Sequence, residues 1–172
     1  MLRLDDLQAV LPEMEFWLPA QRVRIGQLDA LLRQGTFAGA ARPALAPGRL
    51  NGMFKGFIDL VAQADGRYYV LDYKSNDLGP RQADYAPGAL AAAMCAARYD
   101  AQMLMYVLAL HRQLRARLAD YDYDRHMGGG LYLFLRGQDA PGQGLVALRP
   151  ESALIDALDA LFDGEDGEAD HD

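Results

Sequence analysis

The chain has 172 residues, of which 51% are hydrophobic and 24% are charged, and its formal net charge at pH 7 is −7. This length and composition are those of one globular domain with a substantial core. No apolar run approaches the roughly 20 residues that a transmembrane helix needs, so no membrane partner is predicted. The negative charge excludes a protein that coats DNA by itself. The single cysteine, Cys95, excludes an internal disulfide or a thiolate zinc site, and the absence of a signal-peptide pattern favours a cytoplasmic location.

The first predicted elements are a strand and a short helix. Residues 13–18 (EMEFWL) alternate acidic and apolar side chains, which predicts a strand with Glu13 on its polar face and an end at Pro19. Residues 26–34 predict a short helix or helical turn. Residues 35–49 are rich in Gly, Ala and Pro and predict a loop.

A β-hairpin is predicted from about Leu50 to Ser75. The dipeptide Asp65-Gly66 lies between two runs rich in Ile, Val, Leu, Phe and Tyr, which is the strongest short-range indication of a hairpin. With these two residues as the loop, Asp59 faces Asp72 across the strands. Alternation places Asp72 and Lys74 on one face. Apolar residues occur on both faces, which predicts a sheet covered on both sides.

The two facing carboxylates of the hairpin predict a cation. Like charges that oppose each other in a sheet are destabilising, so one carboxyl group should have a raised pKa or a metal ion should lie between the two. Two hard oxygen ligands favour Mg²⁺, with Mn²⁺ as a substitute. The ammonium of Lys74 favours an anionic substrate, most simply a phosphate. A bulge or a longer loop would change the register and weaken this interpretation.

A long helix is predicted after the hairpin. Residues 76–88 predict a loop, and the stretch from Ala89 to Leu118 is rich in Ala, Leu and Met and contains neither Pro nor Gly. Tyr99, Gln102 and Tyr106 share one face of this helix. His111 is expected on its surface.

The last third of the chain predicts one more strand and one more helix. A polar loop over residues 119–130 ends in three glycines, and residues 131–137 (LYLFLRG) predict a buried strand. A C-terminal helix is predicted from Glu151 to Phe162, and the acidic tail 163–172 is predicted to be disordered. The order of elements predicts a single α/β domain over residues 1–162.

Three motifs carry a resemblance to a known family: GFID ending at Asp59, DYK at 72–74, and Gln-x-x-x-Tyr at 102–106. From EMEFWLP to Gly137 the chain resembles the C-terminal nuclease domain of RecB-like proteins, a branch of the PD-(D/E)xK nuclease superfamily. The resemblance implies a restriction-endonuclease-like α/β fold with a central mixed β-sheet flanked by helices. It also implies a Mg²⁺-dependent DNA exonuclease module of the exodeoxyribonuclease V type, which hydrolyses phosphodiester bonds in double-strand break repair and recombination.

The resemblance also implies roles for individual residues. Asp59 and Asp72 match metal-binding and catalytic acids, and the main-chain carbonyl of Tyr73 matches a further metal ligand. Lys74 matches the catalytic lysine. Glu13 matches an acid near the start of the family's first strand and is a candidate metal ligand.

Gln102 and Tyr106 match a motif that supports the site by placing DNA or the catalytic lysine. Non-functional interpretations of the same residues stay open. Asp59 and Asp72 could be a surface carboxylate pair, Lys74 a solvated lysine at a strand end, and the Gln102–Tyr106 pair the polar margin of a core helix. Residues 120–124 (DYDYD) could suggest a second cation site but are interpreted as a solvated loop that is followed by His126.

The family pattern includes a metal-binding histidine on a helix upstream of the first strand, whereas all three histidines here follow the motifs. The chain is therefore expected to be a fragment of a longer protein and poorly active by itself. The implied partners are DNA, RecC- and RecD-like subunits, and helicase domains of the same parent chain. The alternative is a non-catalytic module that docks a partner or holds a DNA strand, which the clustered acids disfavour. A free-standing phage-type exonuclease is disfavoured by the negative charge.

Overall fold

The computed structural model describes residues 7–138 and 142–164. Its strands are β1 (Ala9–Arg24), β2 (Arg49–Ala64), β3 (Arg67–Lys74), β4 (Met127–Phe134) and β5 (Leu145–Leu148). Its helices are α1 (Ile25–Gly35), α2 (Pro87–Ala96), α3 (Tyr99–Arg117), α4 (Tyr123–His126) and α5 (Ser152–Asp163). The predicted α/β class is confirmed. In the predicted acidic tail, Asp163 ends α5, and residues 165–172 lie outside the described part of the chain.

The five strands form one mixed sheet in the order β1-β2-β3-β4-β5. Strands β3 and β4 run parallel, and the other neighbouring pairs are antiparallel. The parallel step follows from the connection through α2, α3 and α4, since parallel neighbours need a long crossover. Within the described ranges, no helix combines the length and the apolarity that crossing a membrane requires.

Helix α3 forms the centre of the core. Its buried apolar side chains recur at helical spacing and include Met103, Leu104, Val107, Leu108, Leu110 and Leu114. They pack against buried residues of β1, β2 and β3, and against α1 and α5, in one main cluster. A second cluster joins Met103 to α2, β4 and β5. These contacts fix the rotation of α3 about its axis. The polar side chains beside the apolar stripe therefore face the end of β3.

The outer face of the sheet, which was predicted to be covered, is partly exposed at the end that carries the site. Tyr73, Leu133 and Leu145 are neighbours across three strands on the face opposite Asp72 and Lys74. Tyr73 is 44% exposed and Leu145 is 37% exposed, while Leu133 is half-buried. Burial of this face is uneven, because Leu71, on the same face as Tyr73, is only 4% exposed.

The predicted continuous helix from Ala89 to Leu118 is wrong, because the helical stretch is two helices. The break falls at Arg98, whose φ of 56° is left-handed. The Arg98 guanidinium donates to Asp29 Oδ1 at 2.7 Å and to Asp100 Oδ1 at 3.1 Å. These tertiary ion pairs hold a backbone conformation that helix propensity disfavours, and no local sequence pattern reveals them.

Strand β1 continues past Pro19, which was predicted to end it. Pro19 pairs with Met53 inside the strand. Because β1 is an edge strand, the missing N–H of proline leaves no partner unsatisfied on its open side. The prediction of a strand at residues 13–18 is confirmed, but the strand is longer at both ends, from Ala9 to Arg24.

The three glycines at 128–130 belong to β4 rather than to the predicted loop. A Cβ at Gly130 would lie 2.6 Å from Met103 Cγ, and a Cβ at Gly128 would collide with the ring of Tyr69. Glycine is therefore what allows α3 and a neighbouring side chain to approach this strand closely. Strand β5 was not predicted, since four residues between glycines and a proline give little periodicity.

His111 is buried rather than on the helix surface. It is 5% exposed, its Nδ1 lies 3.0 Å from the Tyr121 hydroxyl, and its ring contacts the rings of Tyr121 and Tyr123. Burial lowers the pKa of His111, and the nearby charge of Arg115 lowers it further. The site is therefore one that keeps the imidazole neutral.

We expect His111 to make the protein less stable in mild acid. The folded state binds this proton less readily than the unfolded chain does, so stability is complete above the ordinary histidine pKa of about 6.5 and falls below it. The slope can reach about 1.4 kcal/mol per pH unit until the lowered pKa is passed. Urea unfolding of the wild type and His111→Gln between about pH 7.5 and 5.5 measures this difference. Equal slopes for the two proteins would contradict it.

Candidate active site

The central hairpin has the predicted two-residue loop. Pairing of β2 with β3 runs from Ala64–Arg67 to Leu60–Leu71. Asp65 and Gly66 both have left-handed φ values, 49° and 74°, as a type I′ turn requires. The predicted register is therefore confirmed along the length of this ladder.

The predicted direct pairing of Asp59 with Asp72 is not formed, because the ladder ends one residue earlier. Instead, Asp59 Oδ2 accepts a hydrogen bond from the main-chain N–H of Tyr73 at 3.1 Å. The two strands separate at this point and leave a fork. Asp59 is exposed at the mouth of the fork, and Asp72 is buried inside it.

Asp59 leaves the ladder because it is an extra residue in β2. Ile58 and Val61 both join the main core cluster, although a spacing of three would place them on opposite faces of a regular strand. In β1, Glu13 is the facing extra residue, with a left-handed φ of 49°. Pairing continues in the same register on both sides of these two residues, and neither is part of it. Such interruptions are common beside active sites because they redirect a side chain.

Asp72 is 3% exposed. Lys74 Nζ forms an ion pair with Asp72 Oδ2 at 2.7 Å, although the contact is poorly aligned for a hydrogen bond and no other described group donates to this oxygen. Burial is the main cause that raises the pKa of Asp72, the charge of Asp59 adds to it, and Lys74 opposes it. A raised pKa was predicted for one carboxyl group, but desolvation rather than the second acid is the larger cause.

Lys74 is held by groups from α3 and β4. Its ammonium donates to Gln102 Oε1 at 2.9 Å and lies 3.9 Å from the ring centroid of Tyr99 and 5.1 Å from that of Tyr132. Gln102 Nε2 donates in turn to the Tyr106 hydroxyl at 3.0 Å. The predicted shared face of Tyr99, Gln102 and Tyr106 is thus confirmed, and it meets the lysine.

The sequence predicted no role for Tyr99 in this contact and none at all for Tyr132. Tyr132 pairs with Asp72 across the parallel β3–β4 ladder. Its ring is buried, and its hydroxyl donates to Gln102 Oε1 at 3.1 Å. The only available signal was a tyrosine inside an otherwise apolar strand, since a buried tyrosine hydroxyl usually has a partner.

The donor atoms at the fork fit a small, hard divalent cation. Asp59 offers an exposed carboxylate, and Asp72 offers a buried oxygen that lacks a hydrogen-bond donor. The described residues contain no group of three or more His, Cys, Asp or Glu side chains that could hold a metal. Mg²⁺ is often bound by only one or two carboxylates together with water and substrate phosphate, so two acids suffice.

Glu13 is exposed and faces Asp59, and the Tyr73 side chain points to the outer face.

The acidic loop at 120–124 lies outside this site and is structural. Asp122 Oδ1 accepts from the main-chain N–H of Arg125 at the start of α4. Asp124 forms an ion pair of 2.7 Å with Arg149. His126 Nδ1 accepts from the main-chain N–H of Asp122 at 2.9 Å. These contacts give Asp122, Asp124 and His126 partners within the protein, and residues 123–126 form the short helix α4.

Comparison with known proteins gives matches over nearly the whole chain. The family model described as the PD-(D/E)XK nuclease superfamily matches residues 4–166. The RecBCD enzyme subunit RecB of Escherichia coli (strain K12) is 53% identical over 155 residues, which are 88% of this chain and 13% of that protein. RecB of Haemophilus influenzae is 48% identical over 115 residues, 66% of this chain and 10% of that protein. RecB of Mycobacterium tuberculosis (strain H37Rv) is 43% identical over 123 residues, 66% of this chain and 11% of that protein. The chain therefore spans a small part of the relatives' length.

We expect the buried carboxylate to cost stability in the absence of a cation. Asp72→Asn should raise the free energy of unfolding at pH 7 by about 1 kcal/mol, the scale of a single stabilising substitution, because the Lys74 ammonium keeps Gln102 and two aromatic rings as partners when the carboxylate is removed. Because the pKa of Asp72 is raised in the folded state, the advantage of Asn should disappear as the pH falls through that pKa and the carboxyl group takes up its proton. Denaturant unfolding in EDTA measures the difference.

Asp59→Asn is the matched control for this substitution, because Asp59 is exposed. It should change the free energy of unfolding by less than about 0.5 kcal/mol, as surface substitutions usually do. A destabilised Asp72→Asn variant would contradict the expectation.

Proposed function

Because this chain belongs to the PD-(D/E)XK nuclease superfamily, we propose that it is the Mg²⁺-dependent DNA exonuclease module of a RecBCD-type helicase–nuclease. The observation that carries the proposal is the fork between β2 and β3, where Asp59, Asp72 and Lys74 converge. Clustered acids beside a lysine serve phosphodiester hydrolysis. A purely structural domain would gain nothing from the free-energy cost of placing like charges together. The role in double-strand break repair and recombination rests on the similarity to RecB subunits.

Asp59 and Asp72 are the proposed ligands of Mg²⁺, with Mn²⁺ as a substitute. The main-chain carbonyl of Tyr73 is a proposed further ligand, and Glu13, which lies opposite Asp59 between the paired residues of β1 and β2, is a further candidate. A divalent cation supplies polarisation of a phosphoryl oxygen and a lowered pKa of water. The residues of the chain bind it, and Asp72 gains in the cation a second positive partner beside the ammonium of Lys74.

Lys74 is the proposed catalytic lysine. In hydrolysis, water attacks phosphorus in line with the leaving 3′ oxygen, and negative charge builds on the phosphoryl oxygens. The ammonium of Lys74 stabilises this charge, and it is effective because Gln102 and Tyr99 fix its position before the substrate arrives. A lysine on a flexible stem would otherwise have to be ordered during the reaction.

Two arginines beside the fork are proposed to contact the DNA backbone, each by exchanging its carboxylate partner for a phosphate: Arg81 is paired with Asp84 and Arg136 with Asp77. A cavity of ≈ 310 Å³ is lined by Arg81 and Arg136, among other residues. Arg136 Nε donates to the main-chain carbonyl of Ser75 at 3.1 Å, one residue after Lys74. Arginine suits phosphate because its planar group donates in pairs. Further contacts with DNA are proposed to come from helicase domains of the parent chain and from RecC- and RecD-like subunits.

We expect calorimetric titration of the purified chain with Mg²⁺ or Mn²⁺ to report a site at the two acids. The double variant Asp59→Asn, Asp72→Asn should lose binding at least tenfold, because each carboxylate supplies a hard oxygen ligand. The double variant Asp120→Asn, Asp124→Asn removes the same charge from the acidic loop and should bind as the wild type does. Equal weakening in both variants would mean a non-specific charge effect, and an unaffected site variant would reject these ligands.

Exchange of the matching segment of Escherichia coli RecB for this chain tests the function. In the reconstituted complex, the chimera should cleave linear DNA. Asp72→Ala and Lys74→Ala should lower cleavage by at least about 10²-fold, the effect of removing a preorganised electrostatic group. ATP-driven unwinding should persist in each of them.

Lys55→Ala is the matched control for that experiment, because Lys55 is a lysine of β2 that pairs with Glu15. It should cleave as the unsubstituted chimera does. A chimera that unwinds DNA without cutting it would favour the alternative, a non-catalytic module that docks a partner or holds a strand. Cleavage that survives Lys74→Ala would reject the role of this lysine.

A further inference from the structure

We infer that Tyr132 is a positioning residue that acts through Gln102 to fix the ammonium of Lys74. The inference deepens the proposed function and rests on it for its kinetic consequence. Tyr132 lies in β4, where it pairs with Asp72 across the parallel ladder, and it is not one of the proposed metal ligands. Tyr132 acts through its contacts and takes no part in the reaction itself.

One oxygen atom joins Tyr132 to the lysine. Gln102 Oε1 accepts from the Tyr132 hydroxyl at 3.1 Å and from Lys74 Nζ at 2.9 Å. An amide oxygen has two lone pairs, so both are engaged in this arrangement. The hydroxyl of Tyr132 therefore fixes the acceptor that the ammonium needs.

The other end of the amide completes the arrangement. Gln102 Nε2 donates to the Tyr106 hydroxyl at 3.0 Å. If the amide rotated by half a turn, its NH₂ group would face the Lys74 ammonium, and two donors would oppose each other. The ammonium, which can only donate, sets the orientation of the amide, and the hydroxyl groups of Tyr132 and Tyr106 hold Gln102 in that orientation from its two ends.

The ring of Tyr132 has a second, separable effect. Lys74 Nζ lies 5.1 Å from its centroid and 3.9 Å from that of Tyr99, distances at which an aromatic face attracts a cation. The two rings are 6.4 Å apart. Tyr132→Phe keeps the ring and removes only the hydroxyl, so it isolates the effect on Gln102. The phenylalanine also keeps the packing of a fully buried position.

A double-mutant cycle in the RecB chimera tests the inference. Tyr132→Phe should lower kcat roughly tenfold with KM unchanged, since a mispositioned lysine affects the transition state more than binding. In a Gln102→Met background, the same substitution should have no further effect, because the residue through which it acts is gone.

Tyr123→Phe is the control for the loss of a buried hydroxyl. Tyr123 is also buried, and its hydroxyl donates to the Pro150 carbonyl at 2.7 Å, among residues outside the site. It should leave kcat unchanged even if it lowers stability. Wild-type kcat in Tyr132→Phe, additive effects in the cycle, or an equal loss in Tyr123→Phe would each overturn the inference.

A measurement that needs no cleavage separates this inference from the proposed function. In ¹H–¹⁵N spectra of the purified chain, the side-chain NH₂ signals of Gln102 should shift or broaden in Tyr132→Phe and stay in place in Tyr123→Phe. If the chimera cuts no DNA, the proposed function fails, and these signals still decide the positioning. Unchanged Gln102 signals in Tyr132→Phe would overturn it in either case.

Discussion

A buried ion pair between Asp72 and Lys74 is the constraint around which the neighbouring elements are arranged. Taking two charges out of water is expensive, and the attraction between them offsets the cost only if further polar groups satisfy them. Here Gln102 and two aromatic rings stabilise the ammonium of Lys74, whereas one carboxylate oxygen of Asp72 has no well-aligned hydrogen-bond donor. Because of this difference, Asp72 has an oxygen that could accept a cation, while Lys74 is already held in position.

The position of α3 is set by a second group of buried ions at the start of the helix. Arg98 joins Asp29 to Asp100, and Arg42 meets Asp100 at 2.6 Å. Such pairs are weak arguments for stability, but they can specify one arrangement among several. In this protein they specify where the helix begins. Its first turns then bring polar side chains to the end of β3, while its apolar stripe anchors the rest of the helix in the core.

The sequence was a good guide wherever local chemistry decides the structure. The Asp65-Gly66 turn, the shared face of Asp72 and Lys74, and the polar edge of α3 were all predicted, because turn preference and periodicity determine them. The break at Arg98 and the contact of Tyr132 depend on residues distant in the chain, so no local pattern could reveal them. The displacement of Asp59 from its expected partner has the same origin, since it requires a compensating residue in another strand.

That compensating residue has a consequence for how related chains can differ in length. Glu13 and Asp59 each add one residue, and the two additions cancel, so β1 and β2 keep their pairing on both sides. Deleting either residue alone would slip one strand against the other and exchange the inner and outer side chains beyond it. Deleting both would restore a regular sheet and remove the carboxylate at the fork. Insertions and deletions at these two positions should therefore occur together in evolution, and their joint loss would mark lineages that kept the sheet and abandoned the chemistry.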